Sequence, residues 1–368
     1  MQAACAHGSA VGRVPASPSL PRIDAQPRIV TSDEVITEAE LAKRAERALL
    51  EQNWQVAAEA YATLFNSDPA GPHAAEYLFD RGLALEGMGE RAKARDAFFD
   101  LAQLFPQNAK TRVALVRAAT LDAYLEDWNA LAAIGSALLS RSDRDDIDRL
   151  VALGARGLAL VELGDDRTAS SDVHEGLDLA DQLHYGERDV LPVAVAQLRF
   201  ALGEVRRVRS ERIVLDPPPP DFLSKLDERC GGLLEAQAAY AMAVRSVDPH
   251  WAAMAGYRVG EMYRALHRDL MRIPPPAMSR TDRQKQIFFA FMHVRYRILL
   301  EKGLREMQQT VALGDRTSDS SAWIQRARVA QGEIEAALST EKAEIEKMPF
   351  SEEEVKEALS QMQKRTNR

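Results

Sequence analysis

The histidines are the side chains in this sequence best suited to metal binding or proton transfer, but their spacing supports neither role. None of them forms His-x-x-x-His or His-Glu-x-x-His, so a zinc site is unsupported. The glycine-rich phosphate-binding loops and the Gly-x-Ser-x-Gly elbow do not occur either. We therefore expect no catalytic residue, no metal site and no cofactor. The seven histidines are His7, His73, His174, His184, His250, His267 and His293.

One short string imitates a catalytic motif. His267-Arg268-Asp269-Leu270 copies the start of a protein-kinase catalytic loop. The asparagine expected five residues after the aspartate is Pro274, and no Asp-Phe-Gly follows. A kinase needs all of these parts together, so we interpret the match as a coincidence inside a helix.

Four arginines cluster near the end of one predicted helix, at Arg206, Arg207, Arg209 and Arg212. One interpretation is a patch that binds an anionic partner or a lipid headgroup. The other is a solvated helix end, where cations interact favourably with the helix dipole. We favour the solvated helix end.

Cys5 is a candidate for lipid attachment. Ala3-Ala4-Cys5 precedes a Pro- and Ser-rich stretch, which resembles the end of a lipoprotein signal. Gln2 stands where such signals usually carry leucine, and no charged and apolar leader precedes it, so we expect no complete signal peptide. The alternative is a chance cysteine in a disordered tail. The other cysteine, Cys230, lies in an apolar helical context and is expected to be a small buried hydrophobe.

The bulk composition favours a helical protein that does not bind nucleic acid and has no transmembrane segment. Of 368 residues, 46% are apolar, 28% charged and only 6% aromatic, with unbranched helix formers abundant. The net charge of −8 argues against nucleic acid, which requires clustered Lys and Arg. No run of 18 apolar residues occurs, so no transmembrane segment is expected.

A repeat with a period close to 34 residues is the strongest signal for the fold. Pro69 and Pro106 lie 37 positions apart, and a Leu, Gly, Leu, Gly, Ala spacing recurs 75 positions later, with a degenerate unit at about 109–145 between the copies. This period is typical of tetratricopeptide repeats. The residues that define the units before position 186 are Trp54, Ala57, Tyr61, Pro69, Gly82, Gly89, Ala94, Phe98, Pro106, Gly157, Gly164 and Ala169.

The glycines explain why the pattern favours helix hairpins. Gly82 and Gly157 leave room where the two helices of a unit meet, while Gly89 and Gly164 suit the left-handed turn between them. Phe98 is expected to fill the space between neighbouring units. Each hairpin leaves one face unburied, which the next must cover. The sequence therefore predicts an all-α, tetratricopeptide-like α-solenoid of antiparallel helix hairpins, with longer helices in the C-terminal half.

The chain divides into four predicted parts. Residues 1–34 are proline-rich without apolar period and are expected to be a disordered tether. Tetratricopeptide-like repeats follow at 35–186, and a C-terminal region with long helices at 187–348, ending in a capping helix at 349–368. Predicted helices in the C-terminal half span 188–212, 221–246, 249–272, 282–313 and 321–347. Capping boxes are predicted at Thr37 with Glu40 and at Ser351 with Glu354, and an N-cap at Asp248.

Aromatic residues of the C-terminal half have two interpretations. Phe288, Phe289 and Phe291 could form a partner patch, but their helical spacing favours core packing. Trp251, Tyr257 and Tyr263, together with Gly260, are better explained as packing positions between repeats.

A set of aromatic, glycine, proline and basic positions in this half of the chain matches a known pattern. These positions are Tyr240, Trp251, Ala252, Tyr257, Arg258, Gly260, Tyr263, Pro274, Pro275, Pro276, Lys302, Leu304, Trp323, Ala327 and Arg328. Through them, residues 190–335 resemble the C-terminal half of tetratricopeptide proteins of myxobacteria and related deltaproteobacteria, some of them named adventurous gliding motility proteins. The resemblance implies association with the cell envelope, often in the periplasm, a scaffold role, and no catalytic residues.

The functional hypothesis that follows is a non-enzymatic scaffold whose partners are other proteins. Its concave face would grip an extended segment or a helix of a partner. Membrane attachment would come through a lipidated Cys5. Two alternatives are a cytoplasmic regulatory adaptor and, less favoured, an enzyme that uses the solenoid as a platform for its substrate.

Overall fold

The computed structural model describes residues 37–185, 190–246, 248–276, 279–317, 321–351 and 353–355. The predicted tether at 1–34 and most of the predicted capping helix at 349–368 lie outside them. Thirteen α-helices are named within these ranges: α1 (Glu38–Leu50), α2 (Trp54–Ser67), α3 (Ala74–Gly87), α4 (Arg91–Leu104), α5 (Thr111–Leu125), α6 (Trp128–Ser140), α7 (Asp146–Glu162), α8 (Asp166–Gln182), α9 (Val193–Glu211), α10 (Phe222–Ala243), α11 (Pro249–Met271), α12 (Asp282–Thr317) and α13 (Ala322–Glu346).

The helices pack in chain order, each against the next, as antiparallel pairs. The first helices of successive pairs also contact one another. In this way α5 contacts α7, α7 contacts α9, α9 contacts α11, and α11 contacts α13. The helices of the N-terminal half have 13 to 17 residues, whereas those from α9 onward have 19 to 36. The predicted all-α solenoid of helix hairpins, with longer helices in the C-terminal half, is confirmed.

Polar caps explain where several helices begin. Thr37 and Glu40 form the predicted capping box at the start of α1, in which each side chain accepts a hydrogen bond from the other's backbone N–H. The side chain of Asp248 caps α11, and Pro249 occupies its first turn. Ser351 and Glu354 exchange the two hydrogen bonds of the other predicted box. The predicted caps are therefore confirmed at all three positions.

Helix bounds differ from the predicted ones by a few residues. The helix expected at 188–212 begins at Val193, and the helix expected at 221–246 ends at Ala243. The helix expected at 282–313 continues to Thr317, because no proline or cap interrupts it. The hydrophobic period of a sequence predicts the position of a helix more accurately than it predicts the helix ends, because the ends depend on capping geometry.

Glycine allows close packing inside two hairpins that are 75 positions apart. A Cβ atom on Gly82 would lie 2.5 Å from the ring of Phe98, and one on Gly157 would lie 2.8 Å from Val173. Phe98 was expected between neighbouring units, but its ring packs inside its own hairpin, 5.6 Å from that of Phe79. The missing side chain of Gly82 creates the space that this part of the Phe98 ring fills.

The turns after the first helices of these two hairpins require glycine for another reason. Gly89 and Gly164 have φ values of +77° and +93°, in the region that other L-residues adopt only with strain. No atom lies within 4 Å of a Cβ at either position, so backbone conformation alone selects glycine there. The repeated spacing in the sequence thus corresponds to a repeated hairpin geometry.

The row of helices curves back on itself. The hydroxyl of Tyr124, near the end of α5, donates a hydrogen bond to Asp248 at the start of α11. Its ring lies 4.3 Å from that of His250. Arg326 on α13 lies 2.9 Å from Glu126, which directly follows α5. Residues 124 and 200 positions apart therefore meet on the inner side of the curve.

Large aromatic residues mark junctions along the row. Trp54 fills the space above Gly87, between α2 and α3. Trp251 is fully buried, with its ring 5.6 Å from that of Phe200 on α9. Trp323 on α13 lies 5.4 Å from Tyr257 on α11.

Exchange of Gly82 for alanine is expected to destabilise the chain by about 1–3 kcal/mol, because the added methyl group overpacks against Phe98. Gly231 is the matched control, since it lies inside α10 with no atom within 4 Å of its Cβ position. Gly231→Ala should stabilise the chain by about 0.5–1 kcal/mol through the helix preference of alanine. Urea unfolding followed by circular dichroism measures both, and equal midpoints for the two variants would contradict the packing described.

Candidate protein-binding surfaces

A fully buried carboxylate lies at the centre of the inner side of the curve. Glu204 on α9 has no solvent exposure. Arg207 donates a hydrogen bond of 2.5 Å to one of its oxygens, and the hydroxyl of Tyr240 on α10 donates one of 2.6 Å to the other. Arg207 also donates to Glu211 at 2.7 Å. A buried ion is tolerated only when its oxygens are paired in this way.

Arg258 links this centre to two further helices. From α11 its guanidinium lies 2.9 Å from Glu204 and donates a hydrogen bond of 2.7 Å to Glu162, the last residue of α7. The same guanidinium lies over the ring of Trp323, 5.5 Å from its centre. One side chain thereby connects α7, α9, α11 and α13.

The two carboxylates in this network differ in pKa. Burial raises the pKa of Glu162 to about 7, reinforced by the negative charge of Glu204 and opposed by Arg258. Burial would also raise the pKa of Glu204, but the positive charges of Arg258 and Arg207 outweigh it and hold that pKa below its ordinary value. At neutral pH Glu204 is therefore ionised, while Glu162 keeps its proton to a higher pH than an ordinary glutamate does.

The chain's own ion pairs lie along the inner side of the curve between α5 and α13. Arg258 pairs with Glu162 and Glu204, and Arg326 pairs with Glu126. A partner would have to break the buried pairs of Arg258 to bind at their position, which is costly. We expected the concave face to bind the partner; beside these pairs the structure has a cavity of about 270 Å³, lined by residues of α9, α10 and α11 that include Arg207 and Arg258.

An open polar groove runs along α8 and α9, from the side of α7 to the side of α10. In its larger part α7, α8 and α9 provide the lining, and its smaller part lies between α8 and α10, with α9 as the floor. It consists of two adjoining cavities of about 530 and 420 Å³ that share His174 and Arg209. The floor is apolar, formed by the buried Leu202 and Val205, and the walls are polar. The wall residues are Arg149, Arg167, Ser170, Ser171, His174, Glu175, Asp178, Gln182, Arg206, Arg209, Glu228 and Glu235.

The walls of this groove carry charges of both signs. Arg149 lies 2.6 Å from Glu175, and Arg206 lies 3.8 Å from Glu235, with all four side chains partly exposed. Exposed pairs of this kind contribute little to stability and exchange partners easily. An apolar floor with such walls suits a polypeptide segment that carries both apolar and charged residues.

The structure distributes the four clustered arginines over two surfaces. Arg206 and Arg209 line the groove, and Arg212 pairs with Asp166 at 2.7 Å. Arg207 points to the other side of α9, where it binds Glu204 and is only 17% exposed. Arg207 is therefore not part of the solvated helix end that we expected. Adjacent residues of a helix point to different faces, so Arg207 lies on another face of α9 than Arg206 and Arg209.

The predicted packing positions of the C-terminal half lie between helices. The hydroxyl of Tyr263 donates to Gln237 on α10 at 2.8 Å, and a Cβ on Gly260 would lie 2.6 Å from Met307 on α12. Phe288 and Phe291 pack against the core, but Phe289 is 42% exposed. Core packing was expected for all three phenylalanines, and it is wrong for Phe289, which lies on the outer face of α12.

The kinase-like string lies inside α11, as expected. Its histidine, His267, faces one carboxylate oxygen of Glu341 on α13 at 3.4 Å, and His293 on α12 faces the other at 2.5 Å. Asp269 pairs with Arg229 on α10. These contacts tie the last helices together, and no group of His, Cys, Asp and Glu in the described ranges is arranged to hold a metal ion.

The remaining sequence predictions concern the two cysteines and attachment to membranes. Cys5 lies outside the described residues. Cys230 is half-buried, and burial raises the pKa of its thiol, so it is a poor nucleophile. None of the helices in the described part of the chain combines the length and the apolar character needed to cross a bilayer.

Comparison with known proteins finds only distant similarity. A tetratricopeptide repeat protein from Parabacteroides merdae aligns with 79% of this chain and 98% of its own, at 13% identity and a TM-score of 0.42. A TPR repeats protein from Bacteroides fragilis aligns with 82% of this chain and 99% of its own, at 12% identity and a TM-score of 0.28. No family model and no curated protein matches the sequence.

Exchange of Glu162 for glutamine is expected to flatten the pH dependence of stability. The folded pKa of about 7 exceeds the ordinary 4.5, so the folded chain holds this proton more tightly than the unfolded chain does. Stability that is present below pH 4.5 is lost as pH rises through 7, with a slope of at most about 1.4 kcal/mol per pH unit. Urea unfolding between pH 5 and 7.5 should show this loss in the parent chain and a smaller one in Glu162→Gln.

The control for this measurement is Glu335→Gln, because Glu335 is exposed on α13. It should keep the slope of the parent chain. Parallel curves for Glu162→Gln and the parent chain would mean that Glu162 is ionised throughout this range.

Proposed function

We propose that this protein is a non-enzymatic scaffold that holds other proteins, and that the groove along α8 and α9 is its binding surface. The observation that carries the proposal is an open groove with charged walls, built on the four packed helices α7 to α10, with an apolar floor in its smaller part. Surfaces on rigid elements bind a partner with little loss of conformational entropy.

The charges of the groove support a polypeptide partner over a small anionic ligand. Glu175, Asp178, Glu228 and Glu235 offset the arginines of the walls. A phosphate or a lipid headgroup would meet these carboxylates as well as the arginines, which reduces its attraction. A segment with charges of both signs can replace the exposed pairs of the walls with pairs across the interface.

The groove also spans the predicted boundary between the two helical regions. Its α8 wall belongs to the region proposed at 35–186, and α9 and α10 belong to the region proposed at 187–348. A partner in the groove would contact both regions at once. This arrangement supports a scaffold that works as one unit.

We further propose that the scaffold belongs to a cell-envelope assembly, of the kind used in gliding motility, with a lipid on Cys5 as its anchor. The support is the resemblance over residues 190–335, together with the Ala-Ala-Cys string before a proline-rich stretch. Recovery of the protein in the cytoplasmic fraction of native cells would instead favour the regulatory adaptor.

Site-specific photo-crosslinking tests the groove. Benzoylphenylalanine in place of Ser171, an exposed residue of the groove wall, should give one discrete crosslinked product in native cells. The same group in place of Ser136, an exposed residue on α6 outside the groove, should not. Arg206→Glu, which reverses one charge of the wall, should weaken the Ser171 product. Equal products from both positions would show that contact is not confined to the groove.

Metabolic labelling with a fatty acid tests the anchor. Cys5→Ser should lose the label and move the protein out of the membrane fraction, since lipid chains provide the membrane affinity of anchored proteins. Cys230→Ser removes the other cysteine and should change neither readout. Mass spectrometry that finds an unmodified N-terminal peptide carrying Cys5 would exclude the lipid anchor.

A further inference from the structure

The turn between α5 and α6 has a glutamate in a backbone conformation that favours glycine. Glu126 has a φ value of +59°, in the left-handed region, where a side chain crowds its own backbone. The turns after α3 and α7 close with the same two backbone hydrogen bonds, and Gly89 and Gly164 hold the corresponding position there. The turn after α1 has the exposed Gln52 at this position. Backbone geometry alone thus favours glycine at position 126, and glutamate is tolerated there at a cost.

The side chain of Glu126 makes a contact that glycine could not make. Nη1 of Arg326 on α13 lies 2.9 Å from one of its carboxylate oxygens and 3.0 Å from the other. The two residues are 200 positions apart in the sequence. Trp323 positions Arg326 for this pair, because the guanidinium lies 4.2 Å from the centre of the indole ring. The unfavourable backbone conformation therefore coincides with the pair that joins the end of α5 to the start of α13.

The last three helices pack more extensively on one another than on the rest of the chain. α11 has a large contact with α12, and α12 with α13, whereas the contacts of α11 with α9 and α10 are much smaller. A hydrophobic cluster separate from the main core lies between α12 and α13, and consists of Leu300, Met307, Ala327, Ala330 and Ile334. α11, α12 and α13 therefore form a unit that joins the preceding helices through a smaller interface.

Polar contacts of different exposure join this unit to the helices before it. Arg258 on α11 pairs with the fully buried Glu204 and with Glu162. The pair of Glu126 with Arg326 lies nearer the surface, with the two side chains 25% and 42% exposed. Exposed pairs add little to stability and weaken as salt screens them. The pair of Glu126 can therefore open while the pairs of Arg258 stay closed.

We propose that the pair of Glu126 with Arg326 is a latch that holds the unit of α11, α12 and α13 against the turn after α5. When the latch opens, the unit rotates about the buried pairs of Arg258, and the inner side of the curve widens. The device responds to ionic strength, because salt screens an exposed pair. It is independent of the groove along α8 and α9, since neither residue of the latch lines that groove.

Removal of the Glu126 side chain tests the latch. Because glycine adopts the left-handed conformation freely, Glu126→Gly preserves the turn and removes only the ion pair. Spin labels at the exposed Ser136 on α6 and Gln325 on α13, in the full chain with both cysteines replaced by serine, report the separation by double electron–electron resonance. The parent chain should give one narrow distance distribution, and Glu126→Gly a broader one with a longer mean distance.

Matched variants separate the ion pair from the backbone exchange. Gln52→Gly makes the same exchange at the corresponding position after α1 and should leave the distribution unchanged. Arg326→Glu should lengthen the mean distance, because it places two carboxylates face to face, and addition of Glu126→Arg should restore the parent value. The hydrogen bond from Tyr124 to Asp248 also joins the end of α5 to this unit, so Tyr124→Phe added to Glu126→Gly should lengthen the distance further.

Salt provides a third test of the latch. NaCl at 1 M reduces the screening length to about 3 Å, so it should broaden the distribution of the parent chain and leave that of Glu126→Gly unchanged. The parent distribution in both Glu126→Gly and its combination with Tyr124→Phe would overturn the proposal, as would an equal change in Gln52→Gly. Circular dichroism should show unchanged helix content in each variant, which separates opening of the latch from unfolding.

Discussion

Every helix pair in this chain has an apolar face that only the next pair can cover. The backbones approach closely to achieve this: a Cβ on Gly135 of α6 would lie 3.0 Å from the carbonyl oxygen of Ala152 on α7, and one on Gly303 of α12 would lie 3.1 Å from that of Gly260 on α11. Because each pair depends on its neighbour, stability belongs to the junctions.

The charges inside the curve have a different role from the apolar junctions. Burying Glu204 with Arg207 and Arg258 adds little net stability, since desolvation offsets much of the attraction. The pairs do specify one position of α11 relative to α7 and α9, because any other position would leave a buried charge alone.

Local features of the fold follow from the sequence, whereas the curvature that brings α5 close to α11 does not. Helix periodicity, the capping box of Thr37 and the positive φ of Gly89 depend on a few neighbouring residues, and the structure agrees with each. The contact of Tyr124 with Asp248 depends on the summed rotation of several helix pairs, which no short pattern encodes. The groove was only partly predictable for the same reason: Arg206 and Arg209 form a visible cluster, but its opposite wall comes from α8.

Three of the four tryptophans lie at helix contacts in different parts of the molecule. Trp54 lies at the α2–α3 contact, Trp251 at the contact of α11 with α9, and Trp323 at the contact of α13 with α11. Indole emission shifts to longer wavelength when the ring becomes hydrated. Variants that keep only one of these three tryptophans would therefore show whether the two ends of the row of helices unfold before its middle, without any added dye.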